Sequence, residues 1–163
     1  LSILSRTGKE RVRVSEKLTL TGAPILKTRT SFVLVTKDNE QKTISQAGKI
    51  TSKKINATNE YYLNIVRDNT ISLSDNHLRV NSKHIELPFG IYTSPRVYYA
   101  NKKGYVTTTE TLEKKTYLYN FDGALLEGFP VYGATSAEVI ASNKNVFVLT
   151  KEDDTKCIVY QIK

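Results

Sequence analysis

The chain has 163 residues, 39% hydrophobic and 25% charged, and 24 Lys and Arg against 16 Asp and Glu give a formal charge of +8. That mixture argues against general disorder, and the length suffices for one ordinary domain or an array of small repeats. A single cysteine excludes an internal disulfide framework and a multi-cysteine zinc site, and no apolar run approaches the roughly 20 residues that a membrane helix needs.

Strand-sized apolar runs separated by turn residues recur along the whole chain. Residues 1–20 read as two strands, with Arg11-Val12-Arg13-Val14 alternating as an outer, half-solvated strand would. In residues 23–57, Phe32-Val33-Leu34-Val35 leads into the turn Lys37-Asp38-Asn39-Glu40. In residues 58–92, Tyr61-Tyr62-Leu63-Asn64-Ile65-Val66 leads into Arg67-Asp68-Asn69. In residues 93–133, Val97-Tyr98-Tyr99 leads into Asn101-Lys102-Lys103-Gly104. Residues 134–163 hold Ser142-Asn143-Lys144-Asn145 and Val146-Phe147-Val148-Leu149, with room for three strands only. Asn, Asp and Gly accept the left-handed backbone angles that tight hairpins require. The one rival helix, Thr107 to Asn120, has a Glu110–Lys114 pair at helical spacing. Its apolar residues Leu112, Tyr117, Leu118 and Tyr119 hold no helical stripe, so strands are expected there too.

The strands repeat at a spacing of about 40 residues. Leu4-Ser5-Arg6-Thr7-Gly8-Lys9 returns as Ile44-Ser45-Gln46-Ala47-Gly48-Lys49, and Ser94-Pro95-Arg96-Val97 returns as Ser136-Ala137-Glu138-Val139. Thr116-Tyr117-Leu118-Tyr119 returns as Cys157-Ile158-Val159-Tyr160. A four-stranded unit of that length is a propeller blade. The expected fold is therefore all-β: a β-propeller or partial propeller of about four blades of four antiparallel strands, forming one domain. Residues 1–20 would supply the third and fourth strands of a preceding or closing blade, followed by blades 23–57, 58–92 and 93–133 and an incomplete last blade, 134–163. Residues 9–19 could complete that last blade and close a four-bladed ring. Alternatively, blades upstream of Leu1 make this segment about half of a larger ring. The surplus strand at the start favours the second arrangement, as does the absence of an initiator Met.

The run Tyr117-Leu118-Tyr119-Asn120-Phe121-Asp122-Gly123-Ala124-Leu125-Leu126-Glu127-Gly128-Phe129-Pro130-Val131 resembles the strand, Asp-Gly turn and Gly-Phe-Pro-Val exit of bacterial propeller repeats of the quinoprotein-like and FG-GAP-like types. The resemblance implies a hairpin turn at Asp122-Gly123 and an outer strand ended by Gly128-Phe129-Pro130. It also implies the C-terminal part of a longer bacterial chain, in the cell envelope or cytoplasm. FG-GAP-type blades carry an Asp-rich calcium loop where this chain has Ser142-Asn143-Lys144-Asn145, and a lysine among those ligands argues against bound calcium. A weaker similarity joins this tail to larger bacterial chains labelled ribonuclease HII.

No catalytic motif is present: no G-x-S-x-G elbow, no P-loop and no G-x-G-x-x-G after a strand. His77 and His84, the two histidines, read as surface or turn residues, and Cys157, beside Ile158 and Val159, as a buried structural thiol. Glu152-Asp153-Asp154 reads as a solvated hairpin tip, since three adjacent side chains rarely converge on a metal. Asn56-Ala57-Thr58 matches a glycosylation sequon at chance level. No Trp is available to stack a quinone or a sugar. Positive charge gathers at Lys53-Lys54, Lys102-Lys103 and Lys114-Lys115, and Tyr61-Tyr62 and Tyr98-Tyr99 could offer stacking faces to single-stranded nucleic acid. The candidate binding patch is Lys53, Lys54, Tyr98, Lys102, Lys103, Lys114 and Lys115.

The expected function is a non-catalytic interaction or scaffold module of a larger bacterial protein. No cofactor, no metal and no membrane-spanning segment is expected, and the partner would be another protein or another part of the parent chain. The alternatives are a basic nucleic-acid-binding appendage, such as one of a nuclease-labelled chain, and the non-catalytic part of a quinoprotein-like enzyme.

Overall fold

The structure is a computed structural model that describes residues 2–4, 7–13, 18–21, 23–55 and 61–162. Among these residues there are strands, turns and no helix. The chain divides into two compact units, Leu1–Ala57 and Thr58–Lys163. The Asn56-Ala57-Thr58 sequon and the alternating side chains of Arg11-Val12 and Val14 lie outside the described residues.

The first unit contains the hairpin β1 (Ser2–Leu4) and β2 (Glu10–Arg13), and a four-stranded antiparallel meander. The meander runs β3 (Leu26–Lys27), β4 (Ser31–Val35), β5 (Glu40–Ser45) and β6 (Ile50–Lys54), each paired with the next. Val33, Leu34 and Ile44 are buried in it, and Thr36 beside them bonds the Glu40 carbonyl. Lys42 is also buried. Its ammonium donates to Ser52 Oγ at 3.1 Å and pairs with Glu40 at 3.1 Å, so the charge keeps partners as its stem packs.

The second unit is built from three sheets in succession. The first is β7 (Tyr61–Val66), β8 (Asn69–Ser74), β9 (His77–Val80) and β10 (Lys83–Glu86). The second is β11 (Arg96–Ala100), β12 (Lys103–Glu110), β13 (Lys115–Asn120) and β14 (Val131–Tyr132). The third, β15 (Glu138–Ser142), β16 (Asn145–Lys151) and β17 (Cys157–Ile162), has three strands. The leading strand β11 packs against β7 on one side and β15 on the other, so the sheets fan outward from their first strands. Antiparallel meanders stacked face to face in this way are those of a partial propeller.

The middle sheet has a buried face on each side. Val106, Tyr117 and Tyr119 meet Ile71, Leu73, Leu78 and Val80 of the first sheet. Tyr105 and Leu118, pointing the other way, meet Val139, Val146 and Val148 of the third. This double burial explains why β12 and β13 read as near-continuous apolar and Thr runs, and why the Thr107–Asn120 segment shows neither a helical stripe nor a clean alternation. The threonines among them are satisfied. Thr109 Oγ1 donates to the Thr135 carbonyl at 2.9 Å, Thr150 Oγ1 to the same carbonyl at 3.1 Å, and Thr108 Oγ1 to the Thr93 carbonyl at 2.8 Å.

The hairpin turns are tight. Arg67 and Asp68 both have positive φ (49° and 67°), as do Asn101 and Lys102 (49° and 66°), the signature of two-residue turns whose twist matches the strands. One expectation is corrected at the outer edge of the middle sheet. Gly128-Phe129-Pro130 does not end the outer strand but interrupts it: Leu125 bridges Tyr119 before it, and β14 pairs with Lys115–Thr116 after it. Pro130 has no N–H to give to the ladder and therefore sits in the break.

Candidate functional site

The connection from β10 to β11 and the turn from β12 to β13 meet at one end of the middle sheet, and a buried carboxylate holds them together. Glu110, the last residue of β12, is 3% exposed. Its Oε1 accepts the Ile91 N–H at 3.0 Å and the Leu112 N–H at 3.1 Å, and its Oε2 accepts the Glu113 N–H. The backbone adds Thr111 N–H to Ile91 O at 2.8 Å and Thr93 N–H to Thr109 O at 2.9 Å. Burial pushes the Glu110 carboxyl up. The three N–H donors and the Lys115 charge more than offset this and hold it below the ordinary carboxylate value. Gly90 is the residue that lets the loop approach: a Cβ there would stand 2.6 Å from Glu110 Cγ and 2.7 Å from its Oε1. Tyr92, buried just below, donates its hydroxyl to the Pro88 carbonyl at 2.7 Å and pins the other side of the loop.

What this scaffold presents outward is apolar. Phe89 is 98% exposed, Leu112 70% and Ile91 61%. Ile91 and Leu112 donate their own N–H groups to Glu110, and Phe89 lies two residues before Ile91 in the same loop. Single exposed apolar residues are ordinary, but three on loops joined by one buried side chain make a candidate docking surface. The sequence reading missed Glu110, taking it only as half of a helical pair with Lys114. Its principal partner lies 19 residues away and leaves no local signal. The only sequence hint was the run Phe89-Gly90-Ile91, apolar residues set in a loop.

Within the second unit the lysines of the candidate patch are dispersed. Lys102 and Lys103 sit at one end of the β11–β12 hairpin and Lys114 and Lys115 at the other end of β12, about 20 Å away along the strand. Lys115 pairs with Glu113, which raises its pKa. Lys53 and Lys54 are both exposed on β6 of the first unit, on its opposite faces. Tyr98 is half-buried on β11: its hydroxyl donates to the Ala137 carbonyl at 2.8 Å, and burial pushes its pKa up to about 12. Tyr99 is engaged as well. Its ring lies edge-on to Phe121 at 5.1 Å, the Arg67 guanidinium sits 4.3 Å from the ring centre, and its hydroxyl accepts from Asn69 Nδ2 at 2.9 Å. Both rings are thus used within the fold.

Near Lys103 is a hollow of about 500 Å³, lined by Lys103, Tyr105, Asn120, Phe121, Asp122 and Leu126 among others. The Asn120 amide oxygen is already taken by the N–H groups of Asp122 and Ala124, which shape the turn. Asp153 in the 152–154 run is likewise engaged: it accepts from the Thr155 hydroxyl and N–H and from the Lys156 N–H, which lowers its pKa. Cys157 is a correction. It is exposed rather than buried, because it opens the outer strand β17, where alternate residues face away from the sheet's packed side. His77 and His84 are exposed on neighbouring strands, with rings 5.4 Å apart. Among the described residues no three His, Cys, Asp or Glu side chains are placed to hold a metal ion. No helix among them is long and apolar enough to cross a membrane.

The fold defines an all-β chain of propeller-type sheets. No family model matches the sequence, and no curated protein matches it. Among solved structures the chain is similar to one titled "Streptogramin B lyase structure", at 13% identity and a TM-score of 0.48. That match covers 99% of this chain but 61% of the other, so the chain spans about three fifths of its length. Likeness at this level carries neither residue roles nor activity across.

Proposed function

We propose that this chain is a non-catalytic interaction module of a larger bacterial protein, docking a protein partner through Phe89, Ile91 and Leu112. The observation that carries the reading is the backbone frame around Glu110, which holds the Ile91 and Leu112 backbone in place while their side chains and that of nearby Phe89 stay exposed. A preordered backbone reduces the entropy lost on binding, and phenylalanine is among the aromatic residues enriched at protein interfaces. The bacterial parent is supported by the resemblance of residues 117–131 to bacterial propeller repeats.

The test is an affinity capture in three arms from cells that make the parent chain, read by quantitative mass spectrometry. The baits are the unchanged chain, the double variant Phe89→Ser/Leu112→Ser, and the double variant Lys102→Glu/Lys103→Glu. The reading predicts a protein retained by the unchanged and lysine-variant baits and lost from the apolar variant. Equal recovery on all three baits would sink it. Loss only on the lysine variant, together with binding to labelled single-stranded RNA or DNA that weakens steeply with salt, would transfer the function to nucleic acid.

A further inference from the structure

The geometry points to a two-histidine site for a late first-row divalent metal ion (Cu²⁺, Ni²⁺ or Zn²⁺) on the β9–β10 hairpin of the second unit. The chain has two histidines, and the fold puts them beside each other. Antiparallel pairing sets His77 opposite Glu86 and His84 opposite Arg79, so the two imidazoles are diagonal neighbours on one face. Leu78 and Val80, the alternate residues of β9, are buried on the opposite face, which fixes both histidines outward. The ring centres are 5.4 Å apart. With metal–nitrogen bonds of about 2.0–2.1 Å, two imidazoles sharing one ion have ring centres about 5 Å apart, so small rotations suffice for both to bind.

The face around the pair carries charge of both signs. Glu86 shares the face and adds negative charge two residues from His84. Arg79 also shares the face, directly opposite His84, so its positive charge works against the ion and lowers the affinity expected of the pair. With two protein donors the remaining positions are filled by water, and because both protein donors are imidazole nitrogens the pair favours borderline ions over the hard, oxygen-seeking Mg²⁺ and Ca²⁺. Among such ions Cu²⁺ binds most tightly at a site of this kind.

The experiment uses the tag-free chain, titrated with CuCl₂, NiCl₂ and ZnCl₂ by calorimetry, alongside the single variants His77→Gln and His84→Gln. Circular dichroism confirms that each variant keeps its fold, as exposed positions should. The expected result is one ion per chain and an affinity weakened at least about tenfold by either substitution. Selective broadening of both histidine ring resonances by substoichiometric Cu²⁺ would place the ion between them. Binding by either single variant as tight as by the unchanged chain would overturn the proposal, and so would no binding at millimolar metal.

Discussion

The Glu110 carboxylate accepts the Ile91 N–H at 3.0 Å although 19 positions of chain separate the two residues. Through this bond and its companions to Leu112 and Glu113, one side chain ties together two loops that backbone bonds such as Thr111 N–H to Ile91 O also join. Glu110→Ala leaves three N–H donors without their acceptor, and it should cost about 2–4 kcal/mol of stability, read as a lower denaturant midpoint. Glu110→Gln, which keeps an acceptor but loses the charge, should cost less. The acid behaviour follows from the direction of the pKa. Folding lowers the carboxyl below 4.5, so its contribution is complete above that value and drains as the pH falls through the lowered one. Thermal unfolding followed from pH 7 to pH 2 should show a shallower acid limb in Glu110→Gln.

Gly90→Ala tests the same frame from the loop side. The added methyl meets the Glu110 side chain at 2.6 Å, so either the carboxylate or the loop must shift. A loss of about 1–3 kcal/mol is expected, and faster hydrogen exchange of the Ile91 and Leu112 amides would identify the displaced contact.

Leu118 and Leu112 lie six positions apart and should behave oppositely. Leu118 is 0% exposed between the second and third sheets, whereas Leu112 is 70% exposed. Leu118→Ala should cost about 2–5 kcal/mol and Leu112→Ala within about 0.5 kcal/mol. Paired chemical denaturation curves would check both, and a large loss at Leu112 would show that the apolar cluster is structural.

The tyrosines predict the alkaline limit. Burial pushes Tyr98 and Tyr119 each to about 12, and Tyr92 is raised further by burial and its neighbour Tyr117. A raised folded-state pKa means that the stabilisation is complete below the ordinary value of 10.0 and is lost as the pH climbs toward 12. A spectrophotometric titration should therefore show a group of phenols ionising late, together with unfolding. If all ten tyrosines ionised near pH 10 without unfolding, the burial of these rings would be refuted.

Much of the strand order was legible because its causes are local. Positive-φ turns at Arg67-Asp68 and Asn101-Lys102 follow from turn chemistry acting within a few residues, and the Thr107–Asn120 strands follow from the failure of its apolar residues to form a helical stripe. The candidate patch was less legible. Lys102 and Lys114 look alike in the sequence, yet a whole strand lies between them, since a β-strand carries its two ends apart rather than together.

The sequence by itself therefore determined an all-β chain, the spacing of its hairpins and the turns that join them, because alternation and turn preference act over a few residues. Only the tertiary structure decided which faces are covered. It exposed Cys157 on an outer strand, gave the Tyr98 hydroxyl to Ala137, brought His77 beside His84 and buried Glu110 under a loop 19 residues away. Burial and hydrogen-bond partnership are properties of neighbours in space, and those neighbours are set by the stacking of one sheet upon the next.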